Sequence, residues 1–343
     1  MTRFALRTTI ISVAASVSIS AQTSYTPIDL LGAGQYKGFS GGLYPNGGNT
    51  PPRAHATALE HVTIRMTPLD TAGIASPNGK IVLLLLGASS PTQEFPAFVA
   101  EATKLPNLNP KLMFVNGGQG GISLEKMNDT SGRYFQNNVA RALGDAGVSF
   151  NQVSVIWLKT GSLDGRGDTL TFPDAVYREQ EQFIQLLQRI RTTFPNLRVV
   201  YVTGRNTTQY VSPKPDDDGL VKHLEPRAYY NSWVWKWLIE AQMNETDPRL
   251  DWHGDDRKAP LVAWAAPFWT NGASANSVGH TWLPEDVEAD GVHPSPIGET
   301  KIGKLLATFF STDPYTKQWF LDPTKTSSAA PTENRVPGSL DLQ

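Results

Sequence analysis

The chain has no cysteine among its 343 residues. This absence excludes disulfide bridges, thiolate metal sites and a cysteine nucleophile, and it leaves the cell compartment undetermined. An excess of charge of one sign is also lacking, because 30 basic and 32 acidic residues give a formal net charge of −2 without long single-sign blocks. We therefore expect no electrostatic surface for nucleic acid or anionic lipid.

Long hydrophobic runs, metal motifs and nucleotide motifs are missing as well. No segment beyond the N-terminal region has 18 or more uninterrupted apolar residues, the length that a membrane-spanning helix needs. The 6 histidines are scattered without an H-E-x-x-H or comparable pairing, and no glycine triplet has G-x-G-x-x-G spacing before a helix. The sequence therefore predicts no cofactor, no metal, no nucleic-acid partner and no membrane span.

The N-terminal residues 1–21 have the layout of a secretory signal peptide. Arg3 and Arg7 precede a short apolar stretch from Thr8 to Val17, and small residues follow up to Ala21. This pattern predicts a secreted or periplasmic protein. A frayed N-terminus of a cytosolic protein is the alternative.

The rest of the chain divides by composition. Residues 22–79 are rich in Gly, Pro, Ser and Thr, which predicts an arm of turns and short strands. Residues 80–322 carry the candidate catalytic domain. The tail 323–343 is rich in Thr, Ser, Ala and Pro, which is typical of disorder.

The candidate catalytic domain alternates short apolar runs with segments of helical periodicity. The runs suit buried parallel strands: Lys80 to Leu86, Leu112 to Val115, Val153 to Leu158, Val199 to Val202 and Leu261 to Ala265. The helical segments between and after them are Thr92 to Lys104, Ser131 to Ala146, Asp174 to Phe194, Pro226 to Met243 and Ser295 to Phe310. This alternation predicts an α/β fold, a three-layer α/β/α sandwich with a mostly parallel five-stranded sheet.

In such sheets ligands bind beyond the carboxyl ends of the strands, so the residues after each run are the candidates for chemistry. Ser89 follows the first run at a strand-to-helix turn, where its hydroxyl can be exposed beside a helix N-terminus. A plain N-cap role for Ser89 or Ser90 is the alternative.

A second candidate, Asp290-Gly291-Val292-His293, immediately precedes the last helical segment. A serine nucleophile needs a base, and a histidine base needs a carboxylate to fix its tautomer. Asp290 and His293 can supply both, while a capping aspartate beside a surface histidine is the alternative.

These blocks resemble those of the SGNH (GDSL-like) hydrolases. Gly87-Ala88-Ser89-Ser90 is similar to the nucleophile block, with Ala88 in place of the usual Asp, and Asp290-Gly291-Val292-His293 matches the last block. The resemblance spans most of residues 80 to 310. It implies a flavodoxin-type three-layer fold and ester hydrolysis through an acyl-serine, with Ser89, Asp290 and His293 as catalytic residues.

The oxyanion site is less regular in this sequence. Phe114 to Gly121 resembles the second block, so Gly118 and Gly121 are candidates for oxyanion or substrate binding, with a flexible turn as the alternative. The third block reads Lys159-Thr160-Gly161-Ser162, where the family has an Asn donor, so Ser162 is the nearest polar substitute. Losing one donor can cost about a hundredfold in rate.

Trp269, Trp282 and Arg205 are candidates for the cleft wall, because each follows a predicted strand. A surface ion pair is the alternative for Arg205. The aromatic segment from Tyr229 to Leu238 is better explained as a buried helix face.

The sequence as a whole predicts an exported serine esterase acting on a small-molecule or polysaccharide ester, such as an O-acetylated carbohydrate. Lipid and aryl esters are alternative substrates. The third block lacks the Asn of the family, and Ala88 replaces the Asp of the first block. These two departures leave a second hypothesis, a non-catalytic carbohydrate-binding protein on a degenerate hydrolase scaffold.

Overall fold

The computed structural model describes residues 25–162, 171–211 and 223–326. The predicted signal peptide and most of the predicted tail lie outside these residues. Within the arm, helix α1 (Ile28–Leu31) precedes a small hairpin of β1 (Gln35–Tyr36) and β2 (Phe39–Ser40).

The arm differs from its prediction because it contains a regular helix, α2 (Arg53–Thr63). His55, Ala58, Leu59 and Thr63 are buried along one side of α2, at spacings that place them on one helix face. The Gly and Pro content of the arm concealed this apolar face.

The five predicted strands all form, and they make one parallel sheet. They are β3 (Ile81–Gly87), β4 (Leu112–Asn116), β5 (Val153–Lys159), β6 (Val199–Val202) and β7 (Leu261–Trp264). Their order is β4-β3-β5-β6-β7. This is the flavodoxin-like order, whose topological switch point lies between β3 and β5.

Helices cover both faces of the sheet, which confirms the predicted three-layer α/β/α sandwich. The remaining helices are α3 (Ser89–Ala102), α4 (Leu124–Asn128), α5 (Ala140–Asp145), α6 (Asp174–Thr193), α7 (Arg227–Met243), α8 (Pro296–Thr312), α9 (Lys317–Phe320) and α10 (Pro323–Thr326). Among the described residues, no helix is both long enough and apolar enough to cross a membrane.

Alternate side chains of each strand feed two separate cores. Val82, Leu84 and Leu86 of β3 pack on one side with the buried faces of α6 and α7. Leu83 and Leu85 pack on the other side with α3 and α8. Because side chains alternate across a strand, a fully apolar run is what a sheet covered on both faces requires.

The segment from Ser131 to Ala146 is not the single helix that its periodicity predicted. A π-helix, Tyr134–Val139, leads directly into α5. Before it, Asp129 Oδ1 accepts bonds from the N–H and the hydroxyl of Ser131 at 2.9 and 2.6 Å. This local turn competes with helix formation and delays the helix start.

Candidate active site

The hydroxyl of Ser89 and the imidazole of His293 meet at the carboxyl end of the sheet. Ser89 is the first residue of α3, two residues after β3 ends. Its Oγ lies 2.7 Å from Nε2 of His293, and Nδ1 of His293 lies 2.5 Å from Oδ2 of Asp290. A carboxylate only accepts hydrogen bonds, so Nδ1 carries a proton and Nε2 of the neutral ring accepts from Ser89.

Asp290 is prepared to stay ionised in this arrangement. Its Oδ1 accepts from the backbone N–H of Val292 at 2.9 Å and of His293 at 3.0 Å. Burial by itself raises the pKa of Asp290, but the bonds from the His293 side chain and from these two N–H groups hold it below the usual range. The carboxylate can therefore stabilise an imidazolium at His293.

The loop that carries Asp290 and His293 has a fixed backbone. Gly291 has φ +69°, and a Cβ there would lie 2.4 Å from the Tyr210 carbonyl oxygen, so only glycine fits. The Glu288 N–H donates to the His293 carbonyl at 2.8 Å, and Ser295 caps α8. These contacts place the imidazole before substrate arrives.

The glycine loop, residues 117–121 directly after β4, lies beside Ser89. The Tyr134 hydroxyl accepts from the Gly87 N–H at 3.3 Å and donates to the Gly117 carbonyl at 2.8 Å. Asn138 Nδ2 also donates to Gly117, at 2.9 Å. Within the described part of the chain, no hydrogen bond occupies the N–H of Ser89 or Gly121. Both amides are therefore available to an oxyanion.

These residues open into one cleft of about 430 Å³. Its walls include Ser89, Gly121, Thr160, Arg205 and His293. Arg205, a predicted cleft residue, is half-buried, and its Nη2 donates to Nδ1 of His223 at 2.9 Å. Burial lowers the pKa of Arg205, and the carboxylates of Glu179 and Glu225 oppose that shift. The cleft is therefore polar at the side remote from the glycine loop.

Three buried polar atoms on side chains that line the cleft have no hydrogen-bond partner among the described residues. They are Thr160 Oγ1, Asn206 Oδ1 and Thr208 Oγ1, on side chains that are at most 8% exposed. Unpartnered buried polar atoms are unusual in proteins and call for a ligand or water. We call these three side chains the polar wall. Because their unpartnered atoms are almost completely buried, a small side-chain shift or a bridging water molecule has to connect them to a ligand in the cleft.

A buried ion pair ties α3 to the sheet beneath the cleft. Lys159 Nζ, at the end of β5, lies 2.6 and 2.7 Å from the two carboxylate oxygens of Glu94. Asn206 Nδ2 donates to the same carboxylate at 3.0 Å. Burial lowers the pKa of Lys159, and the Glu94 carboxylate opposes this shift. The ion pair fixes the helix that begins with the nucleophile candidate.

Two predicted oxyanion residues have other roles in the structure. The Ser162 hydroxyl donates to the Glu125 carboxylate, and Ser162 does not line the cleft. The Gly118 N–H donates to Asn116 Oδ1 at 3.1 Å, so it is already occupied. Gly121 is the member of that predicted set that faces the cleft.

The predicted aromatic cleft wall is also corrected. Trp282 is fully buried and packs against Gly298 at the start of α8. Trp269 is 4% exposed, donates to Glu225 at 3.0 Å and packs on Tyr229. Both rings therefore lie in the interior of the protein and not in the wall of the cleft.

No protein-family model and no curated protein matches the chain. Solved structures do match. The chain is similar to SGNH hydrolases and carbohydrate esterases of known structure.

Three such structures are similar at low sequence identity. A protein of Slackia heliotrinireducens assigned as an SGNH hydrolase is 17% identical over 67% of this chain and 99% of its own, with a TM-score of 0.36. A carbohydrate esterase family 3 protein from Talaromyces cellulolyticus is 14% identical over 66% and 95%, at 0.37. Axe2, an acetylxylan esterase from Geobacillus stearothermophilus, is 13% identical over 67% and 92%, at 0.38.

Some residues of the site escaped the sequence analysis. Tyr134 and Asn138 lie in an apparently ordinary helical segment, and their contacts with the glycine loop depend on the π-helix. Glu94 and Lys159 are 65 residues apart. The available signal was a charged residue in each of two largely apolar elements: Glu94, five residues after Ser89, and Lys159, at the end of β5.

Proposed function

We propose that the protein is a serine ester hydrolase in which Ser89 is the nucleophile, His293 the base and Asp290 the acid partner. The observation that carries this proposal is the continuous chain of short contacts, 2.7 Å from Ser89 Oγ to Nε2 and 2.5 Å from Nδ1 to Asp290. This order of groups is the one that nucleophilic acyl transfer requires.

The reaction proceeds in two steps. His293 takes the Ser89 proton as Oγ attacks the ester carbon, and then gives that proton to the departing alcohol as the ester C–O bond breaks. A water molecule next attacks the acyl-serine, with His293 again taking a proton. Ser89 regains its proton from the imidazolium as the carboxylic acid leaves.

Two backbone amides are suited to hold the oxyanion. The N–H groups of Ser89 and Gly121 border the cleft, and the positive end of the α3 dipole adds to their field. Because Ser162 stands where the family has an Asn donor, more of the stabilisation falls on these two groups. The glycine loop therefore needs the bracing that Tyr134 provides.

The polar wall supports O-acylated carbohydrates as substrates. Asn206 Oδ1 accepts hydrogen bonds only, so a ligand has to bring a donor such as a hydroxyl group. An alkyl chain would leave Thr160, Asn206 and Thr208 unpaired, at about 1–3 kcal/mol for each buried group. Sugar hydroxyl groups both donate and accept, and so can pair with these groups through a bridging water molecule or after a small side-chain shift.

Export is part of the proposal. It is supported by Arg3, Arg7 and the short apolar stretch of residues 8–17. N-terminal sequencing of the protein recovered from outside the cytoplasm tests it, with cleavage near residue 21 as the expected result. An intact N-terminus on a protein confined to the cytoplasm would contradict it.

The catalytic proposal is tested with a fluorophosphonate probe and with p-nitrophenyl acetate. We expect the wild type to be labelled at Ser89 and to turn over the ester, and Ser89→Ala and His293→Ala to lose turnover. Ser90→Ala is the matched control, because Ser90 lines the same cleft one residue further along α3. It should keep most of its activity.

A folded wild type that is neither labelled nor active would favour the binding-protein hypothesis instead.

The substrate class needs its own comparison, methyl 6-O-acetylglucoside against cyclohexylmethyl acetate, which has a similar shape without hydroxyl groups. We expect the sugar ester to have the higher kcat/KM, and Thr208→Val to reduce that preference. Equal rates for both esters would refute the carbohydrate assignment.

A further inference from the structure

A second groove of about 590 Å³ lies on the other side of the glycine loop from the polar wall. Gln119, Ile122 and Tyr134 form part of its lining, and Ile122 lines the catalytic cleft as well. The two cavities are therefore neighbours across residues 120–122. A chain-like ligand with its ester at Ser89 can extend into this groove.

The groove carries an excess of positive charge. Lys126, Arg133 and Arg141 line it and are exposed, whereas Asp129 is the one carboxylate among its described lining residues. None of the three cations forms an ion pair with another described residue. Asp129 already accepts the N–H and hydroxyl of Ser131. The three cations are thus available to an anionic ligand.

The position of the groove is fixed relative to the nucleophile. Lys126 Nζ donates to the Gly121 carbonyl at 3.0 Å, and Arg141 Nη2 donates to Asn138 Oδ1 at 3.4 Å. Asn138 in turn donates to Gly117 and Gly118 at 2.9 and 3.2 Å. The loop that contains the Gly121 amide is therefore held by Lys126 directly and by Arg141 through Asn138, which fixes both cations relative to the loop.

We propose that this basic groove is a substrate subsite for the carboxylate groups of an acidic polysaccharide whose acylated sugar is bound at Ser89. The proposal rests on the proposed esterase function and narrows its substrate to O-acylated polyuronates. Neutral amide side chains in the groove, Gln119 and Asn137, can bond to the hydroxyl groups of the same sugars. The overall net charge of −2 conceals this local excess of cations.

The test compares an acetylated polygalacturonate oligosaccharide with an acetylated xylan oligosaccharide of similar length, and p-nitrophenyl acetate serves as a small ester. Arg133→Gln combined with Arg141→Gln should lower kcat/KM for the acidic substrate about fivefold to tenfold, since exposed charge pairs are individually weak. Arg141 also contacts Asn138, which holds the glycine loop, so any loss on the neutral oligosaccharide should equal the loss on the small ester and be much smaller than the loss on the acidic substrate. The wild type should prefer the acidic oligosaccharide to the neutral one, and about 0.5 M salt should abolish this preference because it screens the exposed charges.

The control variant removes two exposed cations that line neither cavity, Arg65→Gln combined with Lys304→Gln. It should retain the preference for the acidic substrate. Equal losses in both double variants, or a wild-type rate on the acidic substrate that does not depend on salt, would overturn the proposal.

Binding to Ser89→Ala separates this proposal from the catalytic one. Calorimetric titration of Ser89→Ala with unacetylated polygalacturonate oligosaccharide measures the groove without turnover. Salt-sensitive binding that the Arg133→Gln and Arg141→Gln changes weaken supports the groove even if the wild type hydrolyses no ester. Absence of binding, with hydrolysis of the small ester intact, refutes the groove and leaves the esterase proposal standing.

Discussion

Removing the Tyr134 hydroxyl tests how the two loops of the site are held in register. The hydroxyl joins Gly87, two residues before the nucleophile, to Gly117 at the start of the glycine loop. We expect Tyr134→Phe to lower kcat on p-nitrophenyl acetate about tenfold to a hundredfold, because the glycine loop would lose a contact that fixes Gly121 relative to Ser89 and one proposed oxyanion donor would be misplaced. KM should change little.

The effect on stability follows from the partners that remain. The Gly117 carbonyl keeps its 2.9 Å bond from Asn138, so the substitution leaves chiefly the Gly87 N–H unpaired. A buried donor without a partner costs about 1–3 kcal/mol. The free energy of unfolding should fall by that amount. The fall would be larger if the Gly117 carbonyl were left unpaired as well.

Urea denaturation and steady-state kinetics on the same samples give both quantities. Tyr177→Phe is the control, because Tyr177 is 50% exposed and lies on α6. A Tyr134→Phe protein with the expected loss of stability but an unchanged kcat would refute the positioning role. A KM effect without a kcat effect would likewise contradict it.

Three further predictions concern the same scaffold. Asp290→Asn should reduce kcat about ten-thousandfold with little change in fold, because an amide N–H facing Nδ1 favours the wrong tautomer; steady-state kinetics and circular dichroism check this. Glu94→Leu or Lys159→Met alone should each cost about 3–5 kcal/mol of stability, whereas the double variant should cost clearly less than their sum, as a urea-denaturation cycle would measure. Burial lowers the pKa of His55 to about 4, so between pH values of about 4 and 6.5 the unfolded chain binds more protons than the folded chain. The free energy of unfolding should therefore decrease as the pH falls through this range, by up to about 1.4 kcal/mol per pH unit. His55→Gln should flatten that pH dependence in urea titrations at pH 7 and 5, and His61→Gln, an exposed neighbour on α2, should not.

The sheet could be predicted from the sequence almost to the residue. The run predicted from Lys80 to Leu86 forms β3 at Ile81–Gly87, and the run from Val199 to Val202 has its exact predicted bounds. A strand buried on both faces leaves an uninterrupted apolar run, which few other elements of that length produce. The apolar runs do not give the order of the strands; only the resemblance to SGNH hydrolases implied a flavodoxin-type fold, and the observed order agrees with it.

The details of the site could not be predicted in the same way. Ser162 sits at the expected position along the chain, yet its hydroxyl points to Glu125, a contact set by the packing of α4 and not by local sequence. Trp282 lies in a loop, which suggested a cleft wall, but the ring fills space beside Gly298. Side-chain direction in loops depends on tertiary contacts that residue type and spacing do not encode.

Helix α3 links the chemistry of the site to the sheet. It begins with Ser89, and five residues later Glu94 is held by Lys159 of β5 and by Asn206. A buried ion pair contributes little net stability, because desolvation offsets the attraction. We expect this ion pair to act mainly on the position of the Ser89 side chain. A helix held at Glu94 is restrained from sliding or rotating, and this restraint keeps the Ser89 hydroxyl 2.7 Å from the imidazole of His293.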